Sequence, residues 1–182
     1  AGQPYVVDFT ATVTRNGNAL PVSVQWGPAL GGVRADTSLF VFQQLPAGVL
    51  YGRELEGEQY QETDILRPQP GDLAERSRYE GQFSFVGVDN HYFLAAALPG
   101  ERPSHVDFRA ISTAADEHDL VAFDLSVDVG TDPLPVFLGP KDFDVLGAVD
   151  PDLVRAIDFG FLSVIVVPLH RTLKWIFGFL GN

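Results

Sequence analysis

The sequence predicts a mainly β protein: an antiparallel β-sandwich followed by one or two C-terminal helices. Runs of alternating apolar and polar residues recur about every 8–12 residues and are separated by Gly, Pro, Asn and Asp, as in sandwich folds. This alternation stops at Gly139-Pro140, and beyond it the apolar residues follow a helical spacing. The chain has 182 residues, of which 46% are hydrophobic, which is enough to build one ordinary core.

An N-terminal hairpin is the first predicted element. Residues 4–14 alternate between apolar and polar side chains, which is typical of a half-buried strand. Asn16-Gly17 follows, and this dipeptide between two alternating runs is the strongest short signal for a hairpin turn. We therefore expect residues 20–26 to form the return strand. The side chains expected to face inward are Tyr5, Val7, Phe9, Ala11 and Val13 in the first strand and Leu20, Val22, Val24 and Trp26 in the second.

Two thinner strands are predicted next, at residues 38–43 and 48–55, and an acid-rich stretch follows over residues 54–64. A calcium loop needs oxygens that converge on one point and usually a Gly at its sharp turn. The acids here recur largely at every second residue, so we expect a solvated strand face and no metal site. Residues 67–78 contain two Pro and mixed charges and predict an exposed loop. The acids of the stretch are Glu54, Glu56, Glu58, Glu62 and Asp64.

A second hairpin is predicted from residues 82–88 and 91–98, with its turn at Gly87-Val88-Asp89-Asn90. Residues 92–98 are almost entirely apolar, which is typical of a central strand covered on both faces. Further strands are predicted at residues 104–112, 120–129 and 135–138. The second of these runs, residues 120–129, alternates cleanly, and its expected inward side chains are Val121, Phe123, Leu125, Val127 and Val129.

The composition excludes several classes of function. The net charge is −12, yet residues 160–182 hold Arg171 and Lys174 and no acid, so the remainder carries −14. Such a body should be repelled by nucleic acid and by anionic lipid, and we expect no nucleic-acid partner. Without Cys there is no disulfide framework and no thiolate metal site. The chain begins at Ala1 with no Met and no signal-peptide pattern, so we expect a piece of a longer protein.

Motifs for catalysis or cofactor binding are missing from the sequence. The four His are scattered without the spacing of metal ligands, and none of the glycine-rich phosphate loops or the nucleophile elbow occurs. His118 lies among Asp116, Glu117 and Asp119, where an acidic loop explains it better than a catalytic pair. We therefore expect no enzyme, no catalytic or metal-binding residue and no cofactor. The His residues are His91, His105, His118 and His170.

The C-terminal segment, residues 139–182, differs from everything before it. Residues 142–149 predict a short helix that Asp150-Pro151 breaks, and residues 161–180 predict a second helix with a broad apolar face. Ser163, His170, Arg171, Lys174 and Gly178 form the narrow opposite stripe.

Two interpretations fit the second helix. It lies in a membrane interface, with Arg171 and Lys174 snorkelling and Trp175 at headgroup level, or it is buried on the domain's own core. Two central cations and Pro168 argue against a helix that spans the membrane. The residues predicted to lie at the interface are Phe161, Leu162, Ile165, Leu169, Arg171, Leu173, Lys174, Trp175, Ile176, Phe177 and Leu180.

Three stretches of the sequence resemble one family, the large periplasmic domain of the bacterial membrane protein insertase YidC (the YidC/Oxa/Alb family). Residues 85–99, FVGVDNHYFLAAALP, resemble its Trp-x-Gly, Asp-x-x-Tyr-Phe, small-residue and Pro pattern, with Phe85 where the family usually has Trp. Residues 136–146, VFLGPKDFDVL, resemble its aromatic-x-Gly-Pro-Lys-Asp-aromatic-Asp-x-Leu step. Residues 157–182 resemble the segment leading into the second transmembrane helix.

The resemblance implies a β-supersandwich similar to galactose mutarotase, on the periplasmic side of the bacterial inner membrane. Residues 1–139 would form the sandwich, without some N-terminal strands of the family, and residues 140–182 a helical segment leading towards a transmembrane helix. The family inserts and helps fold membrane proteins, alone or beside the Sec translocon, so the implied partners are translocon components, nascent membrane proteins and, through the tail, the membrane surface. The fold also leaves open an alternative, a carbohydrate-binding or mutarotase-like domain, and a third interpretation is a spacer that binds no partner.

Overall fold

A computed structural model of the chain describes residues 3–20, 22–27, 30, 47–112, 119–127 and 132–157. These residues form eleven strands, one α-helix and two 3₁₀ helices. The strands are β1 (Val6–Phe9), β2 (Val13–Arg15), β3 (Asn18–Leu20), β4 (Val22–Trp26), β5 (Ala47–Glu56), β6 (Gln59–Glu62), β7 (Arg78–Asp89), β8 (Phe93–Ala97), β9 (Pro103–Ile111), β10 (Leu120–Val127) and β11 (Leu134–Pro140). The helices are α1 (Phe143–Val149) and the 3₁₀ helices Asp72–Ala74 and Pro151–Ala156.

The large antiparallel sheet has nine strands, and β7 is its branch point. Seven of the strands follow the order β1-β11-β8-β7-β9-β10-β4, and the other two, β5 and β6, branch from β7. Strand β5 pairs along β7 from Gly81 to Asp89 and carries β6 on its other edge. The remaining edge of β7 is shared: β8 pairs with its last four residues and β9 with its first five. The two groups of strands β8–β11–β1 and β9–β10–β4 therefore diverge from one edge and face each other. The predicted mainly β, sandwich-like antiparallel fold is confirmed.

The main core fills the space between these two groups of strands. Its residues come from both, with Ala95, Ala97 and Leu134 from one side and an apolar run of β9 and β10 from the other. The rings of Phe108 and Phe123 lie 6.2 Å apart. The inward side chains predicted for β10 are buried, as the alternation of residues along a strand requires; the buried members are Val121, Phe123, Leu125 and Val127.

A second apolar cluster lies on the opposite face of β5, β7, β8 and β11, beneath the C-terminal helices. Leu146 of α1 and Leu153 of the 3₁₀ helix are fully buried against Phe85 and Phe137. The predicted helix break is present: Asp142 caps α1 by accepting from the amides of the second and third residues that follow, and Asp150 caps the 3₁₀ helix that starts at Pro151.

The N-terminal hairpin is smaller than predicted. Asn16 and Gly17, with φ of 54° and 81°, turn β2 into β3, but these two strands form a separate two-stranded sheet. Strands β1 and β4 do not pair with each other; they pair with β11 and β10, at opposite ends of the large sheet. Val7 and Phe9 are 55% and 39% exposed, and Tyr5, Val13 and Leu20 are exposed as well, so the inward position predicted for these five side chains is wrong. Trp26 is partly buried against the main core as expected.

Three other local predictions need correction, and three more fall on residues that the structure does not describe. Glu54 is buried beside the guanidinium of Arg76, so it does not belong to a solvated face. The stretch 67–78 is not a simple exposed loop, because it contains the 3₁₀ helix Asp72–Ala74 and a largely buried Arg67. Strand β7 continues to Asp89, which moves the second hairpin's turn to residues 90–92. The strand predicted at residues 38–43, the inward position predicted for Val129 and the acidic loop predicted at His118 lie outside the described residues.

Candidate functional site at the C-terminal junction

A buried carboxylate at the end of β7 holds two cations. Lys141 donates from Nζ to Oδ2 of Asp89 at 2.9 Å, and Arg67 donates from Nη1 to the same oxygen at 2.6 Å. The side chains of Asp89 and Lys141 are 0% and 4% exposed. Taking such charges out of water is costly unless they are paired, so the three side chains must be positioned together when the chain folds.

Arg67 extends this ion cluster to the C-terminal helices. Its second nitrogen, Nη2, donates to the carbonyl oxygen of Ala156 at 2.6 Å, at the end of the 3₁₀ helix Pro151–Ala156. We call the four residues Arg67, Asp89, Lys141 and Ala156 the junction. They come from the segment before β7, the end of β7, the link between β11 and α1, and the last helical turn. The junction therefore fixes the end of the helical segment, at Ala156, against the end of β7.

The turn between β7 and β8 is attached to the junction. Oδ1 of Asn90 accepts from the amides of Tyr92 and Phe93 at 2.9 and 2.8 Å, which is a compact side-chain turn. Lys141 donates its amide to the carbonyl of Tyr92 at 2.8 Å and its Nζ to the carbonyl of Asn90 at 3.1 Å. The turn exposes Tyr92 and Phe93, which are 68% and 51% accessible, and the ring of His91 contacts that of Tyr92 edge-on.

An open polar cleft of about 520 Å³ lies on the helix-covered side of the sheet. The cleft lies at a β-bulge in β7. Tyr51 of β5 pairs with Phe85 and Gly52 with Phe83, so Ser84, which lines the cleft, has no partner in the register of the two strands. Ser84 donates to the carboxylate of Asp152 at 2.9 Å and ties the bulge to the 3₁₀ helix. The lining residues are Gln3, Tyr51, Gly52, Arg53, Glu62, Gln82, Ser84, Leu98, Gly100, Glu101, Pro135, Val149, Asp150 and Asp152.

The electrostatics of the cleft are acidic. Burial, reinforced by the 2.8 Å hydrogen bond that its hydroxyl donates to Glu62, raises the pKa of Tyr51 above its ordinary value. Its hydroxyl thus remains a donor at neutral pH, while the guanidinium of Arg155 lies 4.5 Å from its ring centroid. The lining holds four carboxylates and one cation, Arg53, which favours cationic or hydroxyl-rich ligands over anions.

A solvent-facing polar surface lies on the group of strands that contains β9, β10 and β4. Two rows of side chains cross four strands, β7, β9, β10 and β4, in direct register. In one row His105 lies 3.0 Å from Glu80. The rows are Glu80–His105–Ser126–Ser23 and Arg78–Asp107–Asp124–Gln25, joined by hydrogen bonds between Ser23 and Ser126, Gln25 and Asp124, and Arg78 and Asp107.

The predicted interface residues lie outside the part of the chain that the structure describes, and they remain predictions. They are Phe161, Leu162, Ile165, Leu169, Arg171, Leu173, Lys174, Trp175, Ile176, Phe177 and Leu180. Among the described residues, no helix has the length and apolar character needed to cross a membrane. In the same residues, no three His, Asp or Glu side chains gather closely enough to hold a metal ion.

The junction was missed by reasoning from the sequence, although two signals point to it. Asp89 directly follows the apolar residues 85–88 at the end of a strand, and Lys141 stands between Pro140 and the capping Asp142. A carboxylate at the end of a buried strand requires a cation nearby, because a buried charge is seldom left unpaired. Arg67 has no comparable signal, because it begins a polar, proline-containing stretch in which an exposed charge is expected.

The structure defines a class of protein: an antiparallel β-sandwich domain covered on one side by short helices, the last of which is hydrogen-bonded at its end to a buried ion cluster. The sequence pattern of the YidC periplasmic domain matches residues 2–172, and the chain belongs to that family.

Curated relatives carry the same description. Proteins named membrane protein insertase YidC are similar to this chain at 33% identity over 103 residues in Pseudoalteromonas translucida, 30% over 148 in Nitrosococcus oceani and 23% over 197 aligned positions in Chlorobium limicola. These matches cover 54%, 75% and 100% of the chain. They cover only 19%, 26% and 32% of the relatives, so the chain corresponds to at most about a third of those proteins.

Proposed function

We propose that this chain is the periplasmic domain of a membrane protein insertase, on the outer side of the bacterial inner membrane. It assists the insertion and folding of membrane proteins by docking partners through the sandwich and by orienting the membrane-embedded part through its C-terminal segment. Family membership and the insertase names of the relatives support this function. The observation that carries the orienting role is the hydrogen bond from Arg67 to Ala156, which ties the exit of the chain to the sheet.

The junction suits a mechanical role. A flexible exit would let the β domain rotate freely about the membrane anchor, and a docked partner would then have no fixed position. Breaking one member of a buried ion cluster costs several kcal/mol, so the cluster resists such rotation. Partners that fit this role are components of the Sec translocon and nascent membrane proteins.

The tail provides the membrane contact in this proposal. The rest of the chain carries −14 and is repelled by anionic lipid, so attraction must come from the apolar face of residues 161–180 and from Arg171 and Lys174. Burying a Leu or Phe side chain contributes about 1.5–3 kcal/mol, so five or six immersed residues would hold the domain at the interface.

Vesicle flotation tests the membrane contact. Leu169→Asp with Leu173→Asp should abolish binding to phospholipid vesicles, because both side chains lie on the predicted apolar face, while the β-sheet circular dichroism stays unchanged. Ser163→Asp with His170→Asp is the matched control, since it adds two acids on the predicted polar stripe. Binding retained by the first variant, or an equal loss in both, would contradict an apolar anchor.

Spin labels test the orienting role. The chain has no Cys, so Glu58→Cys on the β5–β6 turn and Ser163→Cys in the tail give a unique pair of labels. On vesicles, we expect one narrow distance distribution between the two labels. Arg67→Met should broaden it, whereas Arg53→Met, which alters an exposed pair with Glu101, should leave it narrow. A broad distribution in the unmodified protein would overturn the orienting role.

A carbohydrate-binding or mutarotase-like domain is the second candidate. Two observations favour it: the acidic cleft at Ser84, and the His105–Glu80 pair on the polar surface. Calorimetry with a panel of sugars separates the two proposals. Saturable binding below about 1 mM that is lost on Ser84→Ala or His105→Ala would support the sugar-binding candidate. No heat of binding across the panel would contradict it.

A further inference from the structure

We propose that the turn over residues 90–93 is a second membrane contact, which places the rings of Tyr92 and Phe93 in the headgroup region of the lipid surface beside the tail. The inference rests on the proposed function, because it requires the tail to bind a membrane. It concerns a different part of the chain, however, and adds an interaction site on the β domain itself.

Exposure is the first step of the argument. Tyr92 and Phe93 are adjacent and 68% and 51% exposed, although large aromatic side chains are usually covered. The turn that presents them is held in place, because the side-chain oxygen of Asn90 accepts hydrogen bonds from both of their amides. Any other conformation of the turn would break these two hydrogen bonds. The side-chain amide group of Asn90 also donates to the carbonyl of Leu30 at 2.9 Å. The rings are therefore held out from the sheet by a turn with fixed geometry.

Position is the second step. The carbonyl of Tyr92 accepts from Lys141, Lys141 bonds Asp89, Asp89 bonds Arg67, and Arg67 bonds the carbonyl of Ala156. Four consecutive contacts thus connect the exposed turn to the residue at which the helical segment ends. The predicted interface segment begins at Phe161, four residues beyond Ile157 and hence within about 14 Å of it, so a tail that lies on lipid brings this end of the domain close to the membrane.

Chemistry identifies the occupant as lipid. Tyr is enriched at membrane–water interfaces because its ring is apolar and its hydroxyl remains hydrated, and Phe adds apolar area below it. The apolar surface continues onto β11, where Pro140 stands opposite Phe93 in register and Leu138 is 37% exposed. The two cations of the junction, Lys141 and Arg67, are turned inward to Asp89, so we expect the membrane contact to depend on the burial of the two rings and not on the charge of the lipid headgroups.

Equilibrium binding of the 182-residue chain to vesicles of phosphatidylethanolamine and phosphatidylglycerol tests this site. Tyr92→Ser with Phe93→Ser should lower the partition coefficient about tenfold, which corresponds to the loss of two partly immersed rings. The matched control is Tyr60→Ser with Phe9→Ser, which removes one Tyr and one Phe that are 40% and 39% exposed on β6 and β1. The control should change binding less than about twofold.

A fluorescent label gives a readout that does not depend on affinity. An environment-sensitive dye on Tyr92→Cys should shift to shorter wavelength on vesicles, whereas the same dye on Tyr60→Cys should not shift. Both sites are exposed, so neither substitution should alter the β-sheet circular dichroism.

The outcomes separate this inference from the proposed function. If the unmodified chain does not bind vesicles, both fail. If Leu169→Asp with Leu173→Asp abolishes binding but the turn variant behaves like its control, only the second contact is overturned. If the turn variant instead abolishes a dimer in sedimentation, the occupant is a second copy of the chain and the lipid contact is wrong.

Discussion

Lys141 and Asp89 are 52 residues apart in the sequence, yet Nζ of the lysine lies 2.9 Å from the carboxylate in the protein interior. The pair joins the end of β7 to the link between β11 and α1. Because the same carboxylate oxygen also accepts from Arg67, one buried acid positions both the entry to α1 and the end of the helical segment. The geometry at which the C-terminal segment leaves the sheet thus depends on Asp89.

Replacing Asp89 by Asn should be strongly destabilising. The substitution leaves Arg67 and Lys141 buried or nearly buried around a neutral side chain, and breaking a buried ion cluster in this way costs about 3–5 kcal/mol. Urea denaturation measures the loss. Glu101→Gln is the matched control, since its partner Arg53 lies 3.9 Å away in an exposed pair worth at most about 1 kcal/mol.

Removing one cation of the cluster should cost less stability than neutralising its acid. Lys141→Met leaves Asp89 paired with Arg67, so we expect a smaller loss of stability than for Asp89→Asn. Equal losses, or a loss below about 1 kcal/mol for Asp89→Asn, would mean that the cluster does not hold the junction together.

Gly87→Ala should disrupt the centre of the sheet. Gly87 stands opposite Ala96 in the pairing of β7 with β8, and an added Cβ would lie 2.7 Å from the Cα of Ala96 and collide with the carbonyl oxygen of Ala95. These are backbone atoms of a buried strand and cannot move aside cheaply, so we expect a loss of about 1–3 kcal/mol or more. Thermal denaturation would show it.

Gly71→Ala is the control for this glycine. A Cβ there meets nothing within 4 Å, and φ is −69°, which any residue adopts. The exchange should leave the melting temperature nearly unchanged or raise it slightly, because it restricts the unfolded chain. If both alanine variants melt alike, close packing between β7 and β8 is not the reason for Gly87.

The sequence was informative where local patterns decide structure. Strands β5, β8, β9, β10 and β11 and helix α1 lie close to their predicted positions, because alternation, turn residues and a capping Asp are all local signals. Pairing partners are not local. Alternation placed Val7 and Phe9 on one face of β1 correctly, but it could not show that β1 lies at the edge of the sheet, where that face is exposed.

The site was harder to predict for the same reason. Ser84 is an extra residue in β7, so Phe83 and Phe85 fall into different apolar clusters although they are two residues apart. A pattern with period two has no means of marking such a bulge. The junction likewise depends on contacts between segments far apart in the chain, whereas the apolar tail could be identified from its composition alone.

Leu153→Ala should loosen the C-terminal helices from the sheet. Leu153 is fully buried in the cluster with Phe85 and Phe137, and truncating such a side chain costs about 2–5 kcal/mol. Limited proteolysis should then cut the segment 143–157 faster. Val154→Ala, at a partly buried neighbour, should cost about 1 kcal/mol or less. Equal protease resistance of the two variants would show that the helices do not depend on this cluster.

Stability at high pH should depend on Tyr51. Burial raises its pKa in the folded protein above the ordinary 10.0, so the folded state retains a proton that the unfolded state has lost. The contribution of this group is therefore complete below about pH 10 and is lost as the pH rises through the folded-state pKa. At pH 7, Tyr51→Phe should cost only the hydrogen bond to Glu62, about 1 kcal/mol.

Urea midpoints measured from about pH 7 to pH 11 would follow this change. The unmodified protein should lose stability above pH 10 more steeply than Tyr51→Phe, so the difference between them should shrink and then reverse. Burial also raises the pKa of Tyr79, which lies in the other apolar cluster. Tyr79→Phe should therefore flatten the profile independently, and the double variant should show the sum of the two effects. A profile that Tyr51→Phe leaves unchanged would mean that its hydroxyl is as well hydrated in the cleft as in the unfolded chain.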